Sequence, residues 1–153
     1  MSSQASIRHA SVTDAFGISK LIASTSEICC FSEAAPCPDW YRISLQTQAI
    51  ETLIASERMV FLLAMPDQRI AGVLAIEDKL SIKYFFVDPE HQKMGIGKLL
   101  WQFAKNSGEF GATLKVRSSL FAVPIYQRLG FESIGPPSSF NGLHFQSMAN
   151  HHP

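Results

Sequence analysis

The chain has 153 residues, 46% of them hydrophobic and 17% charged, which suits one domain with a substantial core and excludes a disordered polypeptide. Thirteen Lys and Arg balance thirteen Asp and Glu, so there is no basic excess to coat a polyanion, and any anion site must be local. Three cysteines without CxxC spacing, a start that lacks a basic and then apolar leader, and apolar runs no longer than a strand predict a cytoplasmic chain with no disulfide framework, no signal peptide, no nucleic-acid partner and no membrane contact.

Residues 6–10 read as a strand. Ser11 with Asp14 three residues on resembles a capping box, and Ala15, Ile18, Leu21 and Ile22 then recur at helical spacing, predicting a helix with one buried face. Residues 29–38, with two prolines, read as a loop. A second helix is expected over 39–55, with Ile43, Ile50, Leu53 and Ile54 inward. Strands are expected over 59–65, 69–77 and 79–87, and the short turns between them imply antiparallel neighbours. Asp88-Pro89 ends the third of these, since proline cannot continue a central ladder. A helix follows over 95–106 with Leu99, Leu100 and Phe103 on one side, then a strand over 113–117 and a short helix over 121–129 with Gly130 as its C′ residue. Two short strands near 131–134 and 143–148, linked by 138–142, complete a mixed α/β fold, and 150–153 read as a frayed tail carrying His151 and His152.

The segment from Tyr84 to Leu100 carries the chemistry: an apolar strand runs into a tight loop, and Gly95 and Gly97 sit at the mouth of an amphipathic helix. Glycines let a ligand approach the backbone, and the first turn of a helix presents unpaired N–H groups and a partial positive charge, so the segment suits a phosphate or pyrophosphate. Lys93 and Lys98 add charge beside it. Two nucleotide fingerprints fail: Leu100 stands where GxGxxG needs its third glycine, and Gly97-Lys98 is followed by leucine rather than the Ser or Thr of a P-loop. Asp88, Glu90 and His91 crowd one loop without a ligand geometry, so no metal is expected, and Cys29, Cys30 and Cys37 read as small hydrophobes.

Gln92, Gly95 and Gly97 form a Gln-x-x-Gly-x-Gly pattern that resembles the acetyl-CoA-binding signature of the GNAT superfamily of N-acetyltransferases. Ile7-Arg8-x-Ala10-x-x-x-Asp14-x-x-x-Ile18-x-x-Leu21 resembles the family's first strand and helix, Ala122-x-x-Ile125-Tyr126-x-Arg128-Leu129-Gly130-Phe131 its late segment, and Asn141-Gly142-Leu143-x-Phe145-x-x-Met148 a common ending. The resemblance covers residues 6–148 of a single domain taken as 1–153. It implies a mostly antiparallel sheet, flanked by helices, that splits like a V between its fourth and fifth strands. Acetyl-CoA, the acetyl donor, would then lie in the split, its pantetheine arm along Phe85, Phe86 and Val87 and its pyrophosphate on the amides of Gln92, Lys93, Met94, Gly95, Ile96, Gly97 and Lys98. Tyr126 would protonate the departing thiolate. Two positions depart from the family pattern: Lys93 and Met94 stand where glycine and a basic residue are common, and Ser119 replaces an asparagine seven residues before the tyrosine, which puts one cofactor hydrogen bond in doubt.

The implied reaction moves an acetyl group to a primary amine of a small molecule or peptide by direct attack, with the Val87 backbone N–H stabilising the oxyanion. The family's strand glutamate is matched here by Ser81, which leaves Glu77, Asp78, Glu33 or a water chain as the base. Neutral charge and the aromatics Phe31, Trp40 and Tyr41 favour a small, partly apolar acceptor, although plain helix packing explains those rings equally well. Tyr84 and Phe86 alternate with Phe85, so one face of that strand meets substrate and the other the core, in an order the sequence leaves open. A homodimer is compatible with the resemblance. The rival from another class is a non-catalytic acyl-CoA-binding sensor acting on a partner protein; nucleotide or nicotinamide binding at the loop is disfavoured by the failed fingerprints.

Overall fold

The segments MVFLLAM and GVLAIE carry almost no polar side chain because helices cover both faces of the strands they form. In the computed structural model, which describes residues 5–151, the strands are β1 (Ser6–His9), β2 (Met59–Met65), β3 (Gly72–Glu77), β4 (Ser81–Val87), β5 (Thr113–Ser118), β6 (Glu132–Ser133), β7 (Ser138–Phe140) and β8 (Leu143–His151). They form one mostly antiparallel sheet in the order β1-β2-β3-β4-β5-β8-β6, with β7 folded onto β8. Only β4 and β5 run parallel. The helices are α1 (Ala15–Cys29), α2 (Asp39–Ser44), α3 (Thr47–Ala55), α4 (Ile96–Asn106) and α5 (Val123–Arg128).

Two apolar clusters lie on opposite faces of this sheet. Ala15, Ile18, Leu21 and Ile22 of α1 pack with Ile50 of α3 against Leu63, Val73, Ala75 and Tyr84. On the other face Ile96, Leu100, Trp101 and Ala104 of α4 pack with Tyr126 and Phe131 against Leu62, Leu74 and Ile76. Gly72 lets α4 come this close: a Cβ there would stand 2.9 Å from Ile96 Cγ2 and 3.0 Å from Leu100 Cδ1. Each fully buried aliphatic side chain contributes roughly 1.5–3 kcal/mol to such a core.

The capping box forms as expected, with Ser11 as the N-cap of a 3₁₀ turn over Val12–Asp14 that leads into α1. The Ser11 N–H donates to Asp14 Oδ2 at 2.8 Å, and Arg8 donates twice to the same carboxylate, at 2.8 and 2.9 Å. Those Arg8 hydrogen bonds, joined by the Ser11 N–H and opposed by burial, hold the Asp14 carboxyl down at about 2. We expect Asp14→Asn to destabilise the fold by about 1 kcal/mol at neutral pH, as loss of a cap does. Because the folded value lies below the unfolded one, this contribution is present above the ordinary carboxylate range and is lost as pH falls toward 2. Urea midpoints of wild type and variant should therefore differ at pH 7 and converge by pH 2; a constant gap would overturn the assignment.

Several elements differ from the sequence-based expectations. The helix expected over 39–55 is two helices, because Leu45 turns into the core at 3% exposure and its carbonyl accepts the Ser19 hydroxyl. Ile43 is consequently exposed at 60% rather than inward. On α4, Leu99 faces solvent and Trp101 and Ala104 take the core positions beside Leu100. The expected link at 138–142 is itself a strand, β7, in a hairpin with β8. The last strand runs on to His151, so Asn150 is not frayed: it is buried and its amide donates to Leu129 O at 2.8 Å. Residues 1–4 and 152–153, where the absence of a leader and a solvated His152 were expected, lie outside the described residues. All three cysteines are free, and no helix among the described residues is long and apolar enough to cross a membrane.

Candidate functional site

Parallel pairing between β4 and β5 lasts for two registers, Ser81 with Lys115 and Ile82 with Val116. Beyond Ile82 the strands diverge, while β5 stays paired to β8 over six positions from Thr113 to Ser118. The sheet therefore forks. An antiparallel ladder alternates hydrogen-bonded and non-hydrogen-bonded pairs, and the Asp88 N–H to Ala71 O bond of 2.7 Å fixes its phase at the end of β4. By that alternation Val73 and Phe86 exchange backbone bonds, whereas Phe85 and Val87 turn their N–H and C=O groups away from β3 and into the fork. Phe86 therefore offers the fork its side chain, on the α1 face with Tyr84, while Phe85 and Val87 pack on the α4 face. Each aromatic face of the strand therefore meets a core cluster.

The loop that leaves β4 is built to present the first turn of α4. Asp88 Oδ1 accepts the Glu90 N–H at 2.9 Å, Pro89 opens a 3₁₀ turn over Pro89–Met94, and Gly95 reverses the chain at φ +75. Gln92 bends back and donates from Nε2 to Val87 O at 3.0 Å, tying loop to strand end. Ile96 is buried against the sheet at 1% exposure and Met94 is 55% exposed, so neither side chain lines the cleft. The Lys93 side chain, expected to add charge here, lies outside the described residues.

Fork and helix terminus share one cleft of about 850 Å³. Phe85, Phe86, Val87, Gln92, Gly95, Gly97, Lys98, Ser119 and Tyr126 all line it, so most of the sequence-predicted positions converge on one surface. Lys105 and Arg128 add positive charge along the α4 and α5 walls. Tyr126 is 6% exposed, with its ring edge-on to Phe85 at 6.1 Å and to Phe131 at 5.3 Å. Its hydroxyl makes no hydrogen bond to another described residue, and burial pushes its pKa well above the ordinary tyrosine value. It is thus a protonated donor left open toward the cleft.

Ser119 Oγ accepts the Ala122 N–H at 3.2 Å, where it starts the turn into α5. Cys30 lies in the same region, within hydrogen-bonding reach of Ser119 and close to Tyr126. Burial pushes its thiol up to about 11, so it is no thiolate nucleophile, in line with its reading as a small hydrophobe. The candidate bases are elsewhere. Glu77 and Asp78 stand at the β3–β4 turn, where Asp78 accepts two hydrogen bonds from Arg58 at 2.6 and 2.9 Å, and Glu33 is exposed in the loop after α1. None of the three lines the cleft, and among the described residues no aspartate or glutamate does.

Sequence reasoning missed the wall on the α1 side: Thr25, Lys83, Arg117 and Phe145. Strict alternation along β5 was a usable signal for Arg117, since Leu114 and Val116 are apolar and Arg117 must face the other way. No signal existed for Lys83, because a bulge in β4 sets its direction. No group of His, Cys, Asp or Glu among the described residues is arranged to hold a metal ion.

Residues 33–151 match the family profile of the acetyltransferase (GNAT) domain. No curated protein matches the chain. Among solved structures, the GCN5-related N-acetyltransferase from Rhodopseudomonas palustris aligns over 99% of this chain and 98% of its own, at 18% identity and a TM-score of 0.77. The PaiA N-acetyltransferase from Thermoplasma acidophilum in complex with coenzyme A aligns over 97% and 99%, at 18% identity and a TM-score of 0.77. The ribosomal-protein-S18-alanine N-acetyltransferase from Escherichia coli aligns over 96% and 93%, at 18% identity and a TM-score of 0.67. At these identities the structural matches establish the shared fold.

Proposed function

The chain belongs to the GNAT acetyltransferase family, and from that premise we propose that it acts as one N-acetyltransferase domain, moving an acetyl group from acetyl-CoA to a primary amine in a ternary complex. The observation that carries this reading is the single cleft joining the forked edge of β4, the unpaired Tyr126 hydroxyl and the first turn of α4. The residues present fit the donor. The N–H groups of Phe85 and Val87 and the C=O of Phe85, all turned away from β3, suit an amide-bearing pantetheine arm, and the backbone from Gln92 to Lys98 suits a pyrophosphate, with Lys98, Lys105 and Arg128 supplying charge.

Acetyl-CoA supplies an activated acyl carbon and a thiolate leaving group. The chain's own contributions are positional and protonic. The fork holds the two reactants together, which converts a bimolecular step into a local one. The Val87 N–H, turned into the fork, would stabilise the negative charge that develops on the carbonyl oxygen. Tyr126 donates its proton to the departing sulfur. The acceptor ammonium loses its proton to water, since no carboxylate of a described residue lines the cleft.

The missing carboxylate also favours a second reading, a non-catalytic acyl-CoA-binding module that acts on a partner protein. The unpaired Tyr126 hydroxyl favours transfer. Calorimetric titration with acetyl-CoA, with NAD and ATP as controls, tests the donor half of the proposal. Saturable binding of acetyl-CoA alone at micromolar strength or tighter is expected; no binding by folded protein would overturn both readings. Thiol release from acetyl-CoA in the presence of amines then separates enzyme from sensor. Release is expected, and its absence across all amines with intact binding would favour the sensor.

A further inference from the structure

The two halves of the cleft differ in character. Along β5, Leu114 and Val116 pack on the α4 side, so Arg117 stands on the opposite face, toward α1. There its guanidinium lies 5.0 Å from the Phe145 ring centroid. In β4 the register shifts between Ala75 and Ile76, so that Tyr84 pairs with Ala75 and Ile82 with Ile76; Lys83 is the extra residue and falls on Tyr84's face. Its Nζ is 5.7 Å from the Tyr84 ring centroid. Both cations line the cleft, and neither has a carboxylate partner among the described residues. Thr25 lines it too; the residue is 1% exposed and its hydroxyl has no hydrogen-bond partner among the described residues. A buried polar group without a partner calls for one, and a ligand atom in the cleft would supply it.

This end of the cleft is also roofed. Trp40 Nε1 donates to Asn141 O at 2.7 Å, and its ring meets Phe140 edge-on at 5.7 Å. A Cβ at Gly142 would stand 3.3 Å from Pro38 Cγ. Pro38 and α2 belong to the half of the molecule built on β1–β4, and the β7–β8 hairpin to the half built on β5, so these contacts bridge the fork. Tyr41 and Leu143, immediately beside the bridge, line the cleft. A covered pocket of this kind suits a small molecule rather than a segment of a folded protein.

We infer that the acceptor is a small primary amine that also carries an anionic group, a carboxylate or phosphate, held by Arg117 and Lys83 on the α1 side of the fork. The inference rests on the acetyl-transfer reading above. Arginine stacked on an aromatic ring is held in orientation for two parallel hydrogen bonds to a planar or tetrahedral oxyanion. A polycationic acceptor meets two positive charges there and no opposite charge, which disfavours it.

The test uses the whole 153-residue chain saturated with coenzyme A, so that failure to bind coenzyme A marks failure of the acetyl-transfer reading rather than of this one. Matched probes are titrated calorimetrically: α-amino acids against their decarboxylated amines for the carboxylate arm, O-phosphoethanolamine against ethanolamine for the phosphate arm, and spermidine as polycation. At least one anionic member should bind about tenfold or more tighter than its partner, the effect of one charge-assisted hydrogen bond. Arg117→Gln should abolish that preference while leaving coenzyme A affinity unchanged, Lys83→Met should reduce it, and Arg117→Lys should restore part of it. Equal binding within every pair, tightest binding by spermidine, a preference that survives Arg117→Gln, or silence from all probes in protein that binds coenzyme A would overturn the inference.

Discussion

Replacing Tyr126 by phenylalanine is expected to lower kcat by about a hundredfold or more, the usual contribution of a positioned proton donor. Affinity for acetyl-CoA should stay within about twofold, because the lost interaction is made with a departing thiolate and not with the bound thioester. The structure makes this substitution a clean one. The ring keeps its edge contacts with Phe85 and Phe131, and the removed hydroxyl has no hydrogen-bond partner among the described residues, so no buried group is orphaned. The pH profile provides a second readout. Burial raises the Tyr126 pKa, so the hydroxyl stays protonated through the ordinary tyrosine value and the donor is not lost as pH rises to it. The rise in rate with pH must then come from the acceptor amine losing its proton. Wild type and Tyr126→Phe should show that rise at the same pH, with the variant reaching a lower plateau. An unchanged kcat would remove Tyr126 from the mechanism. A tenfold loss of acetyl-CoA affinity would recast it as a binding residue.

Gly72→Val should weaken both the fold and the cofactor site, although Gly72 is absent from the cleft wall. The first carbon of any side chain would meet Ile96 Cγ2 at 2.9 Å and Leu100 Cδ1 at 3.0 Å, and both neighbours are essentially unexposed. These are packed groups with no solvent to move into, so α4 itself must shift. Overpacking of this kind costs about 1–3 kcal/mol, which for a chain of this length corresponds to a fall in Tm of roughly 2–12 °C. Ile96 is the first residue of α4, and its displacement carries the first turn, the proposed pyrophosphate site, away from the strand end that Gln92 ties to it. Acetyl-CoA affinity is therefore expected to fall about tenfold, a loss of about 1.4 kcal/mol. Gly111→Ala is the control, because a Cβ there meets nothing within 4 Å. If Gly72→Val lowers Tm but leaves affinity intact, the link between the β3–α4 packing and the loop is refuted; an unchanged Tm would refute the close packing itself.

The capping box at Ser11, the strands from Met59 to Val87, the helix mouth at Gly95 and Gly97 and the short helix bearing Tyr126 were legible because each is written in neighbouring residues. Periodicity, caps and turn residues act over one or two turns of chain; the meeting of loop, strand end and tyrosine was expected only from the family resemblance. The break at Leu45 was not legible. It depends on a core position and on the carbonyl's bond to Ser19, 26 residues earlier. Trp101, rather than the expected Leu99, takes a core position beside Leu100 because α4 packs on β2 and β3, distant strands that its own helical pattern does not encode.

The sequence by itself thus determined the mixed α/β class and the glycine-bearing loop before α4, since local geometry dictates both, while Tyr126 was singled out by the resemblance of its segment to the family's. Tertiary structure alone decided that Lys83 and Arg117 line one side of the cleft without counter-charges among the described residues, and that Trp40 reaches Asn141, 101 residues away, beside it. Those outcomes depend on a strand bulge and on contacts between distant segments. Their energies exist only once the sheet has formed and forked.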